Sequence, residues 1–568
     1  MLTKYSTAYI LKISIYIVIS FSLFQNFEFL QRQFSNIDDI GVIGTILSES
    51  PMEVSQRQKF INKFFCNQGE LATCKPSILY ENLYRVSSKW TYAPFQYWFM
   101  SPIIEPTLNY EQLKFWGRFP SFVLGVLGIV GLALVSKEIF KSSIYWQYSL
   151  VFAVTIFAFS LEQRFYNAHM SSYAAGGLSN CLILFCFIGL LRAEANSTKF
   201  NIFIPFLFAI AISMQYQGIV LVIAGLVSLV LVDLTQHTCY FCFKKYIKVF
   251  LTTSILTFVI CGNIFNLSAK GINWNAGEHN QFIVIGDIFI EKLVSMFFLI
   301  FKNFSYNIYS IASPVYLSVT FANIFGLSLF LLFILGYIYN LKYFRCSSFQ
   351  KLFSYLLPIY SSIYLFLIFS GKFAFSPTRH LLYFLPILSI YSGFGIIFLI
   401  KHIPFRIKNI FLMLALAYSV VAVISFSSIS NERADVVSEA KIQNFLRPYP
   451  LDFTVSGNGE WVNEFVEPLK DLPNLNISIP TPSQVCPINF SGRYFLLIST
   501  GAAPTISIAN LKIFIDDVLA RCGKSPMLSL GEVDSYSKNS SNRDFEFGNS
   551  INYSRNNFHM KVYEINYH

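Results

Sequence analysis

Four groups of residues in this sequence have the types and spacing to do chemistry. The first is Asp38-Asp39, an acidic pair about ten residues beyond the first apolar run. A carboxylate there can take a proton from a hydroxyl or amine, and the two together can hold a divalent metal. The alternative is a solvated pair at a helix start, where the macrodipole favours negative charge. The second group is the aromatic, Pro-broken stretch Lys89–Phe99 followed by Arg118-Phe119-Pro120-Ser121. Such aromatics form interfacial belts, and an arginine at a helix mouth reaches lipid phosphate. The third is Glu162-Gln163-Arg164-Phe165-Tyr166. Arginine offers a forked donor to a phosphate and glutamate accepts from sugar hydroxyls, although the two side chains can also simply pair with each other. The fourth is Lys372 with Arg379-His380, a set of cations suited to clamping a phosphate or pyrophosphate. His279, near Trp274, is a weaker candidate.

The elements that must position these groups are membrane spans. The chain has 568 residues, 54% hydrophobic and only 13% charged, against about 25% charged in soluble domains. Its apolar residues cluster into runs close to the roughly 20 residues that cross a bilayer. These runs fall near 8–28, 119–136, 142–160, 171–191, 201–215, 218–233, 247–266, 314–340, 352–370, 379–400 and 409–427, which predicts about eleven spans. No small-x-small cleavage site precedes Gln31, so the first run is read as an anchor rather than a signal peptide.

Charge distribution sets the expected orientation. The net charge is +11, but the basic residues sit in short loops between apolar runs, as the positive-inside rule requires. With a cytoplasmic N-terminus the inside loops carry Lys137 and Lys141, Arg192 and Lys199, Lys244, Lys245 and Lys248, Lys342, Arg345 and Lys351, and Lys401, Arg406 and Lys408. The parity holds if 201–233 makes two short spans broken near Gln217-Gly218. It also needs 282–303, with Asp287, Glu291 and Lys292, to lie in the interface. No basic stripe with interleaved aromatics stands on a soluble region, which excludes nucleic acid as a partner. Ionisable residues avoid the span centres and no internal repeat is present, which argues against a transporter.

This orientation puts all four groups on one extracytoplasmic face. The expected organisation is a first transmembrane helix (1–28), an outer loop with the acid pair (29–118), a multi-helix core (119–427) and a small outer α/β domain (428–568). In that domain Asp452–Ser456, Arg493–Ser499 and His559–Ile565 read as strands, Val436–Phe445 and Ile506–Ala520 as helices, and the Ser/Asn-rich Ser535–Ser550 as a loop. Cys181, Cys186 and Cys261 sit in apolar runs as packing residues, while Cys66/Cys74 and Cys486/Cys522 could form disulfides in an oxidising compartment. Cys239 and Cys242 have CxxC spacing but lack a second ligand pair.

In order, spacing and sidedness these features resemble the GT-C superfamily of integral-membrane glycosyltransferases. The likeness is to the bacterial branch near protein O-mannosyltransferases and aminoarabinose transferases, glycosyltransferase family 39-like. It rests on Asp38-Asp39 after the first span, Trp90–Phe99 in the outer loop and Arg118-Phe119-Pro120-Ser121 opening a span with Gly125 and Gly128. Glu162-Gln163-Arg164-Phe165-Tyr166 and Arg379-His380 with Leu385-Pro386 complete it. The sequence departs from the family in its second acid, Asp39 in place of the usual Glu, and in having the single Pro94 in the aromatic stretch. The resemblance covers about residues 8–400.

It implies a polytopic α-helical fold and a polyprenyl-phosphate sugar as donor. The acceptor would be a glycolipid, polysaccharide or protein, and transfer would invert the anomeric centre. The working face would be that of a bacterial plasma membrane turned to the periplasm. Asp38 would be the base, with Asp39 assisting or the pair holding a divalent metal. Arg118, Glu162, Arg164, Tyr166, Lys372, Arg379 and His380 would bind the donor and its lipid phosphate. A lipid-linked polysaccharide polymerase or ligase is the alternative enzyme class.

Overall fold

The computed structural model describes residues 110–167, 172–192, 198–235, 241–261, 319–344, 347–369 and 379–402, short pieces within 13–30, 308–313 and 413–424, the single residues Phe95, Met100 and Pro448, and five strands between 451 and 566. The described helices and the strands fall in two separate compact units.

The helical unit contains α1 (Tyr110–Phe140), α2 (Trp146–Phe159), α3 (Leu161–Asn167), α4 (Tyr173–Arg192), α5 (Thr198–Met214), α6 (Gly218–Leu234) and α7 (Phe241–Cys261). It continues with α8 (Val319–Lys342), α9 (Ser348–Phe369), a 3-10 turn (Arg379–Phe384) and α10 (Leu385–His402). Among the described residues four segments are long and apolar enough to cross a membrane: Phe115–Phe140, Tyr173–Arg192, Thr320–Lys342 and Leu381–His402. Large apolar side chains such as Leu134, Ile202, Val259, Ile324 and Phe366 stand exposed around the bundle, as they would against lipid. The chain is a multi-pass helical membrane protein.

The apolar run at 201–233 is two helices, α5 and α6, with the break at Gln215–Gln217. The segment 282–303 and most of the first apolar run lie outside the described residues.

The bundle has two chemically different ends. At one, Glu138 at the foot of α1 accepts from Lys141 and from Arg192 of α4, each at 2.6 Å. Arg192 also lies 5.5 Å over the ring of Phe349 at the start of α9, and Lys245 of α7 donates to the Leu190 carbonyl. Lys342 and Lys401 end α8 and α10 beside Tyr343 at this same end. Helices α1, α4, α8 and α10 therefore run parallel into it.

Close approach of these helices depends on glycine. A Cβ on Gly336 of α8 would stand 1.8 Å from the Tyr391 carbonyl oxygen, and one on Gly395 of α10 would stand 2.1 Å from the Leu332 oxygen. Without a hydrophobic drive inside lipid, such backbone contact is what holds spans together.

The second unit contains a five-stranded sheet: β1 (Leu451–Ser456), β2 (Asn474–Asn476), β3 (Tyr494–Thr500), β4 (Ser529–Lys538) and β5 (Phe558–Asn566), in the order β2-β1-β3-β5-β4. β1 lies parallel to both β2 and β3, while β5 pairs antiparallel with β3 and β4. One expectation is corrected here. Ser535–Lys538, read as loop, belongs to β4, because β5 offers it a continuous ladder from Ser535↔Lys561 to Lys538↔Phe558. Backbone pairing overrides the weak strand preference of Ser and Lys. Val436–Phe445, Ile506–Ala520 and the paired cysteines of the hydrophilic regions lie outside the described residues.

Candidate functional site

The end of the bundle opposite the basic one gathers three of the sequence groups. Its centre is α3, a seven-residue helix wedged between α2 and α4. Ser160 makes this helix possible. Its backbone turns extended (φ −54°, ψ 126°) and stops α2. Its hydroxyl then accepts from the Gln163 amide at 3.2 Å as an N-cap and donates to the Ile311 carbonyl at 2.5 Å. The Leu161 amide donates to the Ser313 carbonyl at 2.8 Å, so a neighbouring segment satisfies the free first turn.

The third apolar run ends at 160, so Glu162–Tyr166 is expected in a short outer loop at the bilayer surface; the structure makes it a helix instead. Its described side chains are buried: Glu162 is 3% exposed, Arg164 0% and Tyr166 6%. Arg164 donates from Nη1 to the Ala422 carbonyl at 3.0 Å and lies 5.8 Å over the Phe159 ring. Burial pushes its guanidinium down to about 9, which leaves it a cation at neutral pH. Arg164 thus ties α3 to the helical piece around Ala422 while holding a positive charge inside the protein. Tyr166 packs on Tyr173 of α4 at 5.3 Å.

Helix α1 brings Arg118. It packs on α3 at Gly125, where an added Cβ would stand 2.3 Å from the Asn167 side chain. Arg118 lies seven residues earlier, about two turns up the same face. It is fully buried rather than snorkelled into the headgroups. Phe95, from the aromatic stretch, packs against Leu124, Ala175 and Met214 inside the bundle instead of lying in an interfacial belt.

The 3-10 turn, which opens with Arg379 and His380, packs against α3 and α4. Tyr383, one turn later, anchors it. Its hydroxyl is 3.2 Å from Ser179 Oγ, and its carbonyl accepts from Asn180 Nδ2 at 2.8 Å. Ser179 in turn donates to the Ala211 carbonyl at 2.7 Å, linking the turn to α5. Gly218, opening α6, leaves room: a Cβ there would be 3.0 Å from Tyr383 Oη. Phe384 stacks on Tyr360 of α9 at 6.2 Å.

Asp38, Asp39 and Lys372 lie outside the described residues, as do His279, Cys239 and the side chains of Arg379 and His380. Among the described residues no group of three or more His, Cys, Asp or Glu side chains could hold a metal. Asp38-Asp39, the pair named for a metal, is not among them. Cys181, Cys186 and Cys261 are buried free thiols within the bundle.

Sequence reasoning missed Ser160, Asn180 and Tyr383, which hold the site's elements in place. Ser160-Leu161-Glu162-Gln163 has the capping-box pattern and could have revealed α3. Ser179, Asn180 and Tyr383 carry no such signal, since isolated polar residues in apolar helices look alike whether or not they bridge.

No family model and no curated protein matches this sequence. Among solved structures, ArnT from Cupriavidus metallidurans bound to undecaprenyl phosphate aligns over 97% of this chain and 97% of its own, at 13% identity and a TM-score of 0.47. The oligosaccharyltransferase AglB from Archaeoglobus fulgidus, in complex with an inhibitory peptide and a dolichol-phosphate, aligns over 72% of this chain and 61% of its own, at 13% identity and a TM-score of 0.41. The chain thus spans about three-fifths of the length of the archaeal chains it matches. Likeness at these identities and scores fixes neither a family nor an activity.

Proposed function

We propose that this protein is a membrane-bound glycosyltransferase that moves a sugar from a polyprenyl-phosphate donor to an acceptor on the extracytoplasmic face. The observation that carries the reading is the packing of α1, α3 and the 3-10 turn at the end of the bundle away from the basic loops. Those three elements hold Arg118, Glu162–Tyr166 and Arg379-His380. Buried cations at the end of a lipid-facing bundle suit an anion that arrives with an apolar tail. A soluble anionic substrate would not need so apolar a scaffold.

The chemistry follows from the residue types. The acceptor oxygen or nitrogen forms a bond to the anomeric carbon as the bond from that carbon to the phosphate oxygen breaks. The electron pair leaves with the lipid phosphate, and Asp38 takes the acceptor proton, with Asp39 supporting it. Direct displacement from the far side inverts the anomeric centre. Arg118, Lys372 and Arg379, with His380, stabilise the charge growing on the leaving phosphate, the contribution that usually dominates such reactions. Arg164 adds a fixed positive charge from within the protein, and Glu162 and Tyr166 wall the donor site. Where Asp38 and Asp39 hold a divalent ion, it would lower the acceptor's pKa; the steps above do not require it.

The test is Asp38→Asn in the full-length protein. Loss of sugar transfer with donor binding retained supports the assignment. Transfer at the wild-type rate removes Asp38 as the base. A lipid-linked polymerase or ligase would transfer from a pyrophosphate-linked glycan instead, and a side-by-side assay of both donors separates the two.

A further inference from the structure

We propose that the paired ends of α8 and α10, at the basic end of the bundle, bind the phosphate headgroup of an anionic phospholipid. This site lies away from the candidate active end and does not depend on the glycosyl-transfer reading. Helices α8 and α10 run parallel, locked at Gly336 and Gly395, so their last turns finish side by side. Lys401 Nζ lies 4.0 Å over the Tyr343 ring and 4.9 Å over Tyr339. Lys342 Nζ lies 5.9 Å over the same Tyr343 ring and 5.8 Å over Phe398. The two ammonium groups therefore stand at most about 10 Å apart, close to one Debye length, roughly 8 Å at physiological salt.

Neither ammonium makes an ion pair with a described residue; the ion pairs described at this end join Glu138 to Lys141 and Arg192. That contrast carries the argument. One basic cluster contains a carboxylate that bridges its two cations. The other holds two exposed cations together on a shared ring with no acid among the described residues between them. A helix C-terminus favours one cation through its dipole, and a ring face favours one more, but neither relieves the repulsion between them. A bridging anion does.

The position selects a lipid over a free phosphate. Both lysines sit at the last turn of segments long enough to span the bilayer, the level at which lipid phosphates lie. Below them Leu331, Ile338 and Leu341 expose about half of their surface along α8, a track for an acyl chain.

The test is lipid binding by the purified full-length protein, measured by native mass spectrometry across a titration of phosphatidylglycerol, with phosphatidylethanolamine and free glycerol phosphate as comparison arms. Wild type should retain phosphatidylglycerol in preference to phosphatidylethanolamine, and its binding should weaken as salt rises. The double variant Lys342→Gln/Lys401→Gln should bind it about thirtyfold more weakly. Lys141→Gln, in the cluster bridged by Glu138, should bind as wild type does. Equal retention of the two lipids, binding indifferent to salt, or an unchanged double variant would overturn the proposal. Displacement by glycerol phosphate at equal concentration would assign the site to free phosphate and overturn the lipid.

Discussion

Tyr383 and Gly218 offer a perturbation whose outcome depends on the geometry of the 3-10 turn. Tyr383→Phe removes one hydroxyl, leaving Ser179 bonded to the Ala211 carbonyl and Asn180 bonded to the Tyr383 carbonyl. A neutral hydrogen bond contributes about 1 kcal/mol net, so the variant should fold and lose about that much stability. Gly218→Ala places a methyl 3.0 Å from Tyr383 Oη, 3.2 Å from Ile183 Cδ1 and 3.3 Å from Ser179 Oγ. Those contacts are a few tenths of an ångström too close, and overpacking of this kind costs about 1–3 kcal/mol.

The two changes share an atom, so they should not add. With the hydroxyl gone the tightest contact disappears, and Gly218→Ala in the Tyr383→Phe background should cost less than half of what it costs alone. Denaturant unfolding of the four purified proteins in one detergent gives the double-mutant cycle. A coupling of about 1 kcal/mol supports the described packing. Additive effects within about 0.3 kcal/mol would show that Tyr383 Oη does not face Gly218 and would refute the anchor.

Three further outcomes follow. Gly336→Val should prevent accumulation of folded protein, because its Cβ would enter the Tyr391 carbonyl; normal yield and thermal stability would contradict the α8–α10 contact. Arg118→Ala should lower transfer from a polyprenyl-phosphate sugar by about a hundredfold, the scale of losing one electrostatic donor to a leaving group, and Arg118→Lys should recover part of it; a variant with full activity would take Arg118 out of the site. Membrane-impermeant thiol labelling should reach single cysteines at 66 and 486 from outside the cell and one at 144, where Ile144 is 88% exposed, only after the membrane is opened. Labelling of 486 only from inside would reverse the orientation.

The described apolar helices are legible in the sequence because apolar runs are a property of composition that no tertiary contact can hide. The break between α5 and α6 was legible for the same reason: Gln215, Tyr216 and Gln217 interrupt a run that is otherwise apolar. Helix α3 is not legible, since seven residues with Glu, Gln and Arg show no period, and its burial depends on the Ile311, Ser313 and Ala422 carbonyls, distant in sequence. The same holds for Arg118. Its position at a helix mouth suggested a snorkelling side chain, and only the packing of α1 on its neighbours shows it to be buried. Strand β4 extends beyond its sequence signal because a Ser-rich sequence looks like a loop until a partner strand is known.

The most direct measurement of the central claim is turnover by the purified wild-type protein with a labelled polyprenyl-phosphate sugar and a cell-envelope extract as acceptor. Free polyprenyl phosphate should appear in step with sugar bound to acceptor through the inverted anomer, and Asp38→Asn should release none. Transfer from a soluble nucleotide sugar, or a glycosidic bond of retained configuration, would contradict the account.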